Sequence, residues 1–191
     1  MMNLLKCLLC SAFCLATLQT TTAQGAWIEF NSYDGRFQVL APGLMLEKTD
    51  SIETPLGKLA YRVSFFQPED KTAENLLYMV SWCDYPDGGI HSDSTELLKD
   101  FFEATMESAA FSVKGEVVYS DEFSLAGFPG KIWRIDYLDG AAIIKTRAFV
   151  SHNRYYALQT VSLKERHLNP AGEKFFDSFR LIVPSNRKKK S

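Results

Sequence analysis

The sequence predicts an α+β fold in which helices flank an antiparallel β-sheet. Three observations support this prediction: apolar residues fall in short runs of strand length, turn dipeptides separate the runs, and two segments carry apolar residues at helical spacing. The 191 residues are 46% hydrophobic, which is enough for the core of one domain. The formal net charge of −2 gives no overall positive surface of the kind that nucleic-acid-binding proteins carry.

Residues 1–23 are predicted to be a cleaved signal peptide. Lys6 precedes an apolar run over residues 7–18, and the small residue Ala23 stands directly before the predicted cleavage site at Gln24. The run is shorter than the roughly 20 apolar residues that cross a bilayer, and no later segment is long and apolar enough to do so. We therefore expect an exported protein, periplasmic or secreted, with no transmembrane segment after signal removal.

A lipid anchor is the alternative to complete removal of this leader. Cys10 and Cys14 lie in the apolar run, but each follows a large residue, whereas a bacterial lipobox has a small residue at that position. Lipidation at Cys14 would make the chain a surface-tethered structural protein. Cleavage after residue 23 instead leaves Cys83 as the only cysteine, so no intramolecular disulfide is expected. Cys83 is predicted to be a small, buried, apolar residue.

Residues 24–183 are predicted to form a single domain that begins with two hairpins and a central strand. Asp34-Gly35 and Pro55-Leu56-Gly57 have the composition of the two hairpin turns. Apolar and polar residues alternate along 58–66, as in a half-buried strand, whereas 76–85 is apolar on both faces, as in a central strand. The predicted strands are 27–30, 37–40, 44–53, 58–66 and 76–85.

An amphipathic helix of about four turns is predicted to follow and to pack on the sheet. Asp93 is its expected N-cap, because Glu96 stands three positions later in a capping-box pattern. Apolar residues then recur at helical spacing from Leu97 to Ala110.

The last part of the domain is predicted to be a four-stranded meander followed by a short helix. A turn is expected at Gly127-Phe128-Pro129-Gly130, and a two-residue turn at Asp139-Gly140 fixes the register of the strands beside it. Asn169-Pro170 is expected to open the helix, as an N-cap followed by proline at the first helical position. The four strands are 116–125, 131–138, 141–150 and 154–163, a closing strand is expected over 181–183, and a basic disordered tail over 184–191.

The meander register brings four charged residues to one face of the sheet. These candidate binding residues are Arg134, Asp136, Lys145 and Arg147. They are suited to holding an anionic ligand, or an unknown protein partner in the cell envelope, through charge-assisted hydrogen bonds. The alternative is cross-strand ion pairing on a partly covered face, which needs no partner.

Six short motifs occur in order along almost the whole domain. They are Asp34-Gly35-Arg36-Phe37, Pro42-Gly43, Asp84-Tyr85-Pro86, Gly127-Phe128-Pro129-Gly130, Arg154-Tyr155-Tyr156 and Phe175-Phe176-Asp177-Ser178-Phe179. As an ordered set they resemble the Mog/PsbP-like superfamily, in particular its small exported bacterial members of uncharacterised function. The resemblance implies an α/β/α sandwich used for binding or assembly rather than catalysis. Individual functions are not carried over, because one fold hosts many of them.

The loop from Asp84 to Asp93 is the alternative candidate site. Three carboxylates and an imidazole, those of Asp84, Asp87, His91 and Asp93, lie within it and are suitable ligands for a metal ion. A small metal-dependent hydrolase centred on this loop is therefore a second hypothesis. The spacing matches neither an EF-hand nor a paired-histidine zinc motif, so a polar, glycine-rich loop that ends in a helix cap is the favoured explanation.

The sequence thus predicts an exported, non-catalytic binding or accessory domain. It contains no Gly-x-Ser-x-Gly nucleophile motif and no phosphate-binding glycine loop, so neither enzymatic activity nor a cofactor is expected. The ligand or partner is not identified by any motif.

Overall fold

The computed structural model describes residues 26–54 and 57–182. The predicted signal peptide with its cleavage site, and the basic tail, lie outside the described residues. Neither helix in the described ranges is both long and apolar enough to cross a membrane. The helices are α1 (Thr95–Ser112) and α2 (Pro170–Ser178), and the strands are β1 (Ile28–Ser32), β2 (Phe37–Ala41), β3 (Leu46–Thr54), β4 (Gly57–Phe66), β5 (Leu77–Asp84), β6 (Glu116–Leu125), β7 (Phe128–Tyr137), β8 (Ala142–Ser151), β9 (Arg154–Leu163) and β10 (Arg180–Leu181).

The strands form two antiparallel sheets. The main sheet has seven strands in the order β3-β4-β5-β9-β8-β7-β6, and a small sheet has the order β1-β2-β10. β5 pairs with β4 on one side and with β9 on the other, which confirms that 76–85 contains a central strand. Its two apolar faces are explained by this position, because both are covered.

Each face of the main sheet has its own hydrophobic core. α1 packs on one face through Leu98, Phe102, Met106 and Ala110. On the other face, α2 and the small sheet lie side by side, and Phe37 of β2 stacks on the ring of Phe179 with centroids 5.3 Å apart. This arrangement confirms the α+β fold and the layered sandwich, with the addition of a small sheet in the layer of α2.

The β7–β8 hairpin has the predicted register. Arg134 pairs with Lys145, and Tyr137 pairs with Ala142, so the turn is centred on Asp139-Gly140. Both turn residues have positive φ, the conformation that matches the twist of a two-residue hairpin. The register therefore places the charged residues on one face, as predicted.

The turn predicted at Gly127-Phe128-Pro129-Gly130 is wrong in its position. Ala126 and Gly127 join β6 to β7, with φ angles of 52° and 85°. Gly130 instead lies within β7, where a Cβ would stand 2.2 Å from the backbone oxygen of Ala148. A close approach between strands, not a turn, therefore requires the second glycine.

The capping box predicted for α1 is also wrong. The N-cap is Ser94, whose backbone oxygen accepts from the Leu98 N–H at 2.9 Å, and its side chain makes no capping hydrogen bond within the described residues. The backbone N–H of Asp93 donates to His91 Nδ1 at 3.3 Å. Asp93 therefore belongs to the preceding turn and not to the helix.

α2 begins as predicted. Asn169 is its N-cap, and its Oδ1 accepts from the backbone N–H of Gly172 at 2.7 Å, with Pro170 in the first turn. The closing strand β10 begins one residue before the predicted range and pairs with β2 through Arg180 and Leu181.

Candidate functional site

The four charged residues of the predicted binding set are all paired, and two of them, Lys145 and Arg147, pair with acids of α2. Arg134 holds Asp136 through two hydrogen bonds, of 2.6 and 2.8 Å. Glu173 of α2 accepts from Lys145 at 3.4 Å and from Arg147 at 2.7 Å. The pairs of Lys145 and Arg147 connect α2 to the sheet, whereas the Arg134–Asp136 pair lies within β7. A role of the set in binding an anionic partner stays a prediction.

The four residues of the alternative metal site do not converge. No three His, Cys, Asp or Glu side chains within 26–54 and 57–182 are grouped closely enough to hold a metal ion. Arg154 Nη2 binds Asp84 Oδ2 at 2.7 Å, while His91 Nδ1 lies 3.5 Å from Asp93 Oδ2. Asp87 is exposed. Among the described residues, this loop therefore contains no cluster of side chains that could bind the metal ion required by the hydrolase hypothesis.

An apolar cavity of about 960 Å³ lies between α1 and the main sheet. The helix covers the sheet face over β7, β8 and β9, so the neighbouring part formed by β4 and β5 remains open beside it. This cavity is named the α1 groove. Its floor includes Trp133 and Tyr155, its open side includes Tyr61 and Cys83, and its helix side is formed by Leu97, Phe101, Ala104, Thr105, Ser108, Ala109 and Ser112.

Aromatic and thiol groups form an uncharged part of the surface of the α1 groove, which Glu53 also lines. Phe101 meets Tyr85 and Tyr155 edge to face, with ring centroids 5.5 and 5.3 Å apart. Burial raises the pKa of Tyr85 to about 12 and holds the pKa of Tyr155 well above its ordinary value. Burial, assisted by the charge of Asp84, raises the pKa of Cys83 to about 11. All three groups are therefore neutral at physiological pH.

The floor of the groove contains a buried hydrogen-bond donor. Trp133 is 1% exposed, and its Nε1 has no hydrogen-bond partner among the residues that the structure describes. An indole nitrogen can only donate, so no rearrangement of its protons would satisfy it.

Sequence reasoning missed the α1 groove because it assigned the whole apolar face of α1 to the core. The helix has two adjacent stripes, and only the stripe through Leu98, Phe102 and Met106 is buried on the sheet. The second stripe runs from Leu97 along Phe101 and continues with small residues, which leave space between the helix and the sheet. This second stripe is the feature of the sequence that could have indicated the groove. It makes the apolar face of α1 wider than the surface that packs on the sheet.

Comparison with known proteins identifies the fold. The chain is similar to the cyanobacterial PsbP protein CyanoP from Synechocystis sp. PCC 6803, known from a solution structure, with a TM-score of 0.57 and 10% sequence identity. The match covers 87% of this chain and 98% of that chain. No protein-family model and no curated protein matches the sequence. The likeness shows the fold alone, a PsbP-like α+β fold.

Proposed function

We propose that this chain is an exported, non-catalytic binding domain that takes a ligand into the α1 groove. The observation that carries the proposal is the cavity of about 960 Å³, which lies within the range of ~300–1,000 Å³ typical of ligand sites. Export is proposed from the signal peptide predicted in residues 1–23. An accessory role agrees with the PsbP-like fold only by analogy, because fold does not determine function.

The chemistry of the groove favours binding over catalysis. None of the three histidines is among the described residues that line it. The thiol that lines the groove belongs to Cys83, and its pKa of about 11 keeps it protonated. Nucleophilic cysteines, by contrast, have a lowered pKa. The groove therefore offers shape and apolar contact without an activated nucleophile.

Binding of the uncharged, apolar fluorophore N-phenyl-1-naphthylamine tests this proposal. The wild-type protein should bind it with increased fluorescence, because the largely apolar lining of the groove lowers the polarity around the bound fluorophore. In Ala104→Trp, an indole placed on the helix side of the groove should weaken binding at least tenfold, a loss of about 1.4 kcal/mol.

Glu103→Trp is the matched control. Glu103 is the neighbouring residue on α1, is exposed and does not line the groove, so an indole there should leave binding unchanged. Absence of binding to the wild type, or equal binding by Ala104→Trp and the wild type, would show that the groove is not the binding site.

The two alternatives from the sequence make different predictions. A surface-tethered structural protein would carry a lipid at Cys14, which the mass of the mature N-terminus would reveal. A metal-dependent hydrolase would bind a divalent cation through the Asp84 to Asp93 loop, and Asp87→Asn with His91→Ala would abolish that binding. The proposed binding domain requires neither result.

A further inference from the structure

Strand β3 forms one edge of the main sheet. In the described part of the chain it pairs only with β4, in an unbroken register from Leu46 to Thr54. Alternate residues of an edge strand direct their backbone N–H and C=O groups outward, where another strand can pair with them. β3 contains no proline, glycine or bulge that would oppose such pairing.

The other edge strand, β6, has two features that oppose the pairing of two copies. Its register with β7 shifts between Val117 and Tyr119, and such a bulge bends a strand and interrupts its edge. Its charged side chains, those of Glu116, Asp121 and Glu122, are all acidic, so β6 offers no cation to a second copy of itself. β3 instead carries charges of both signs.

The sequence of β3 is complementary to itself about Thr49. When two copies of β3 pair antiparallel with Thr49 opposite Thr49, Leu46 lies opposite Ile52, and Lys48 lies opposite Asp50. Each of these pairs occurs twice, because a two-fold axis relates the two strands. Apolar pairs and pairs of opposite charge are the cross-strand contacts that stabilise a sheet.

The remaining residues agree with this register and disfavour its neighbours. Glu47 lies opposite Ser51, so no like charges face each other. A register centred one residue away, on Lys48 or on Asp50, would place that residue opposite its own copy and so oppose two equal charges. We propose that this chain forms a two-fold symmetric dimer in which the β3 strands pair about Thr49 and join the two main sheets into one. The dimer is a property beyond the proposed function and needs no ligand.

The side chains at this edge are available for the pairing. Leu46 is 62% exposed, and the exposed Lys48 Nζ and Asp50 Oδ2 are 3.7 Å apart within the single strand. Asp50 Oδ1 accepts from the backbone N–H of Ser51 at 2.8 Å, so an exposed side chain occupies this N–H until a partner strand replaces it. Dimerisation buries Leu46 against Ile52, which also lines the α1 groove, so the partner subunit's Leu46 adds to the apolar rim of that groove.

Single cysteines along β3 test the register. Thr49→Cys places two thiols opposite each other, at a Cα separation of about 4.5–5.5 Å that a disulfide can span, so mild oxidation should give a covalent dimer. Glu47→Cys and Ser51→Cys are the matched controls, because each lies roughly 13 Å from its own copy in this register. Each alone should give no more dimer than the wild type, whereas an equal mixture of the two should give the mixed dimer.

Sedimentation equilibrium of the protein without added cysteines tests the charge pairs. Because one strand edge is a small interface, we expect the wild type to associate between about 5 and 500 µM. Lys48→Glu sets a carboxylate opposite the partner subunit's Asp50 at two places and should weaken association at least tenfold. Lys48→Glu combined with Asp50→Lys exchanges the two charges and should restore the affinity. Lys99→Glu makes the same charge change at an exposed position on α1 and should have no effect.

The other outcomes overturn the proposal. A wild type that remains monomeric throughout this range has no β3 dimer, and equal cross-linking of all three cysteine variants would indicate random collision. A dimer that Lys48→Glu leaves unchanged is formed by another surface, and failure of the charge exchange to restore the affinity would mean that Lys48 does not face Asp50. Each of these results leaves ligand binding in the α1 groove untouched, and failure of the fluorophore to bind leaves the dimer untouched.

Discussion

Single residues in this chain owe their chemistry to burial and to a few neighbours. Cys83 is 1% exposed and lies beside the Asp84 carboxylate, and both effects raise its pKa. Asp84 is in turn bound by Arg154, whose guanidinium also donates to the backbone oxygen of Asp34 at 2.8 Å. The apolar strand around Cys83 predicted its burial. The Asp84–Arg154 pair was not predictable, because the β5–β9 pairing alone makes the two residues neighbours.

Cys83 is expected to react slowly with iodoacetamide in the native protein. With a pKa of about 11, about one thiol in a thousand is ionised at pH 8, so modification should be at least about 100-fold slower than in the unfolded chain. The rate should increase as the pH rises towards 11. Peptide mass mapping distinguishes Cys83 from the cysteines of the leader, and equal rates in native and urea-unfolded protein would contradict the prediction.

The same raised pKa sets a pH dependence of stability. The folded state favours the neutral thiol of Cys83. The contribution of this thiol to the free energy of unfolding is therefore complete below its ordinary pKa of 9.0 and is lost as the pH rises from there towards 11. The free energy of unfolding, measured in urea, should decrease less between pH 7 and pH 10.5 in Cys83→Ala than in the wild type. An equal decrease in Cys83→Ala and in the wild type would show that the thiol does not cause this pH dependence.

The two helices begin with different local chemistry. Asn169 caps α2 and also exchanges two hydrogen bonds with the buried amide of Asn75, at 2.9 and 3.0 Å. Ser94 makes no side-chain bond to the first turn of α1 within the described residues, so packing on the sheet holds this helix instead. The sequence signals alone pointed to a cap on both helices.

A pair of N-cap substitutions tests this difference. Asn169→Ala should lower the free energy of unfolding by about 2 kcal/mol, because it removes the cap and the hydrogen bond that Asn169 Nδ2 donates to the buried Oδ1 of Asn75. Ser94→Ala should change it by less than about 0.5 kcal/mol. Urea unfolding of both variants measures the effects, and similar losses in the two would disprove the assignment of the caps.

Two residues of the charged set, Lys145 and Arg147, connect α2 to the main sheet. Arg147 binds Glu173 and Asp177, both at 2.7 Å, and its guanidinium carbon lies 4.8 Å from the centre of the Phe176 ring. The sequence predicted cross-strand ion pairs as the alternative to binding, whereas the observed pairs lie within β7 or join β8 to α2. The acids of α2 could not be assigned as partners before the helix was placed on the sheet.

Arg134→Ala combined with Arg147→Ala should lower the free energy of unfolding by about 1–2 kcal/mol, with a smaller effect in high salt. Urea unfolding at two salt concentrations measures this effect, and Lys99→Ala, at an exposed position on α1, is the control. Unchanged stability would refute a structural role. If the folded double variant also failed to retain an envelope partner that the wild type binds, the predicted binding role would be supported.

At the scale of the whole molecule, the end of the domain completes the second core. The buried side chains of Phe175, Phe176 and Phe179 lie against residues of β2, β5, β8 and β9, and β10 adds a strand to the small sheet. Closure of this core therefore depends on contacts between the two ends of the domain. Such distant pairings are expected to form late in folding.

Two truncations test the role of this segment. A chain that ends at residue 183 should keep the free energy of unfolding of the full chain, as the predicted boundary between domain and basic tail requires. A chain that ends at residue 168 exposes the core around Phe37 and should lose cooperative unfolding, since each removed phenylalanine is worth about 3–5 kcal/mol. Thermal unfolding followed by circular dichroism distinguishes the two results, and a cooperative transition in the shorter chain would overturn the prediction.

The antiparallel sheet, its central strand, the β7–β8 register and the helix that Asn169 opens were all predictable from the sequence. Each of these depends on local periodicity or on a turn or cap within a few residues. The tertiary structure decided the partners of Asp84 and Arg147, the close approach at Gly130 and the α1 groove. These features arise between residues far apart in the chain. The groove in particular exists because α1 covers only part of one face of the main sheet. No local sequence pattern predicts which part of a wide sheet a narrower helix will cover.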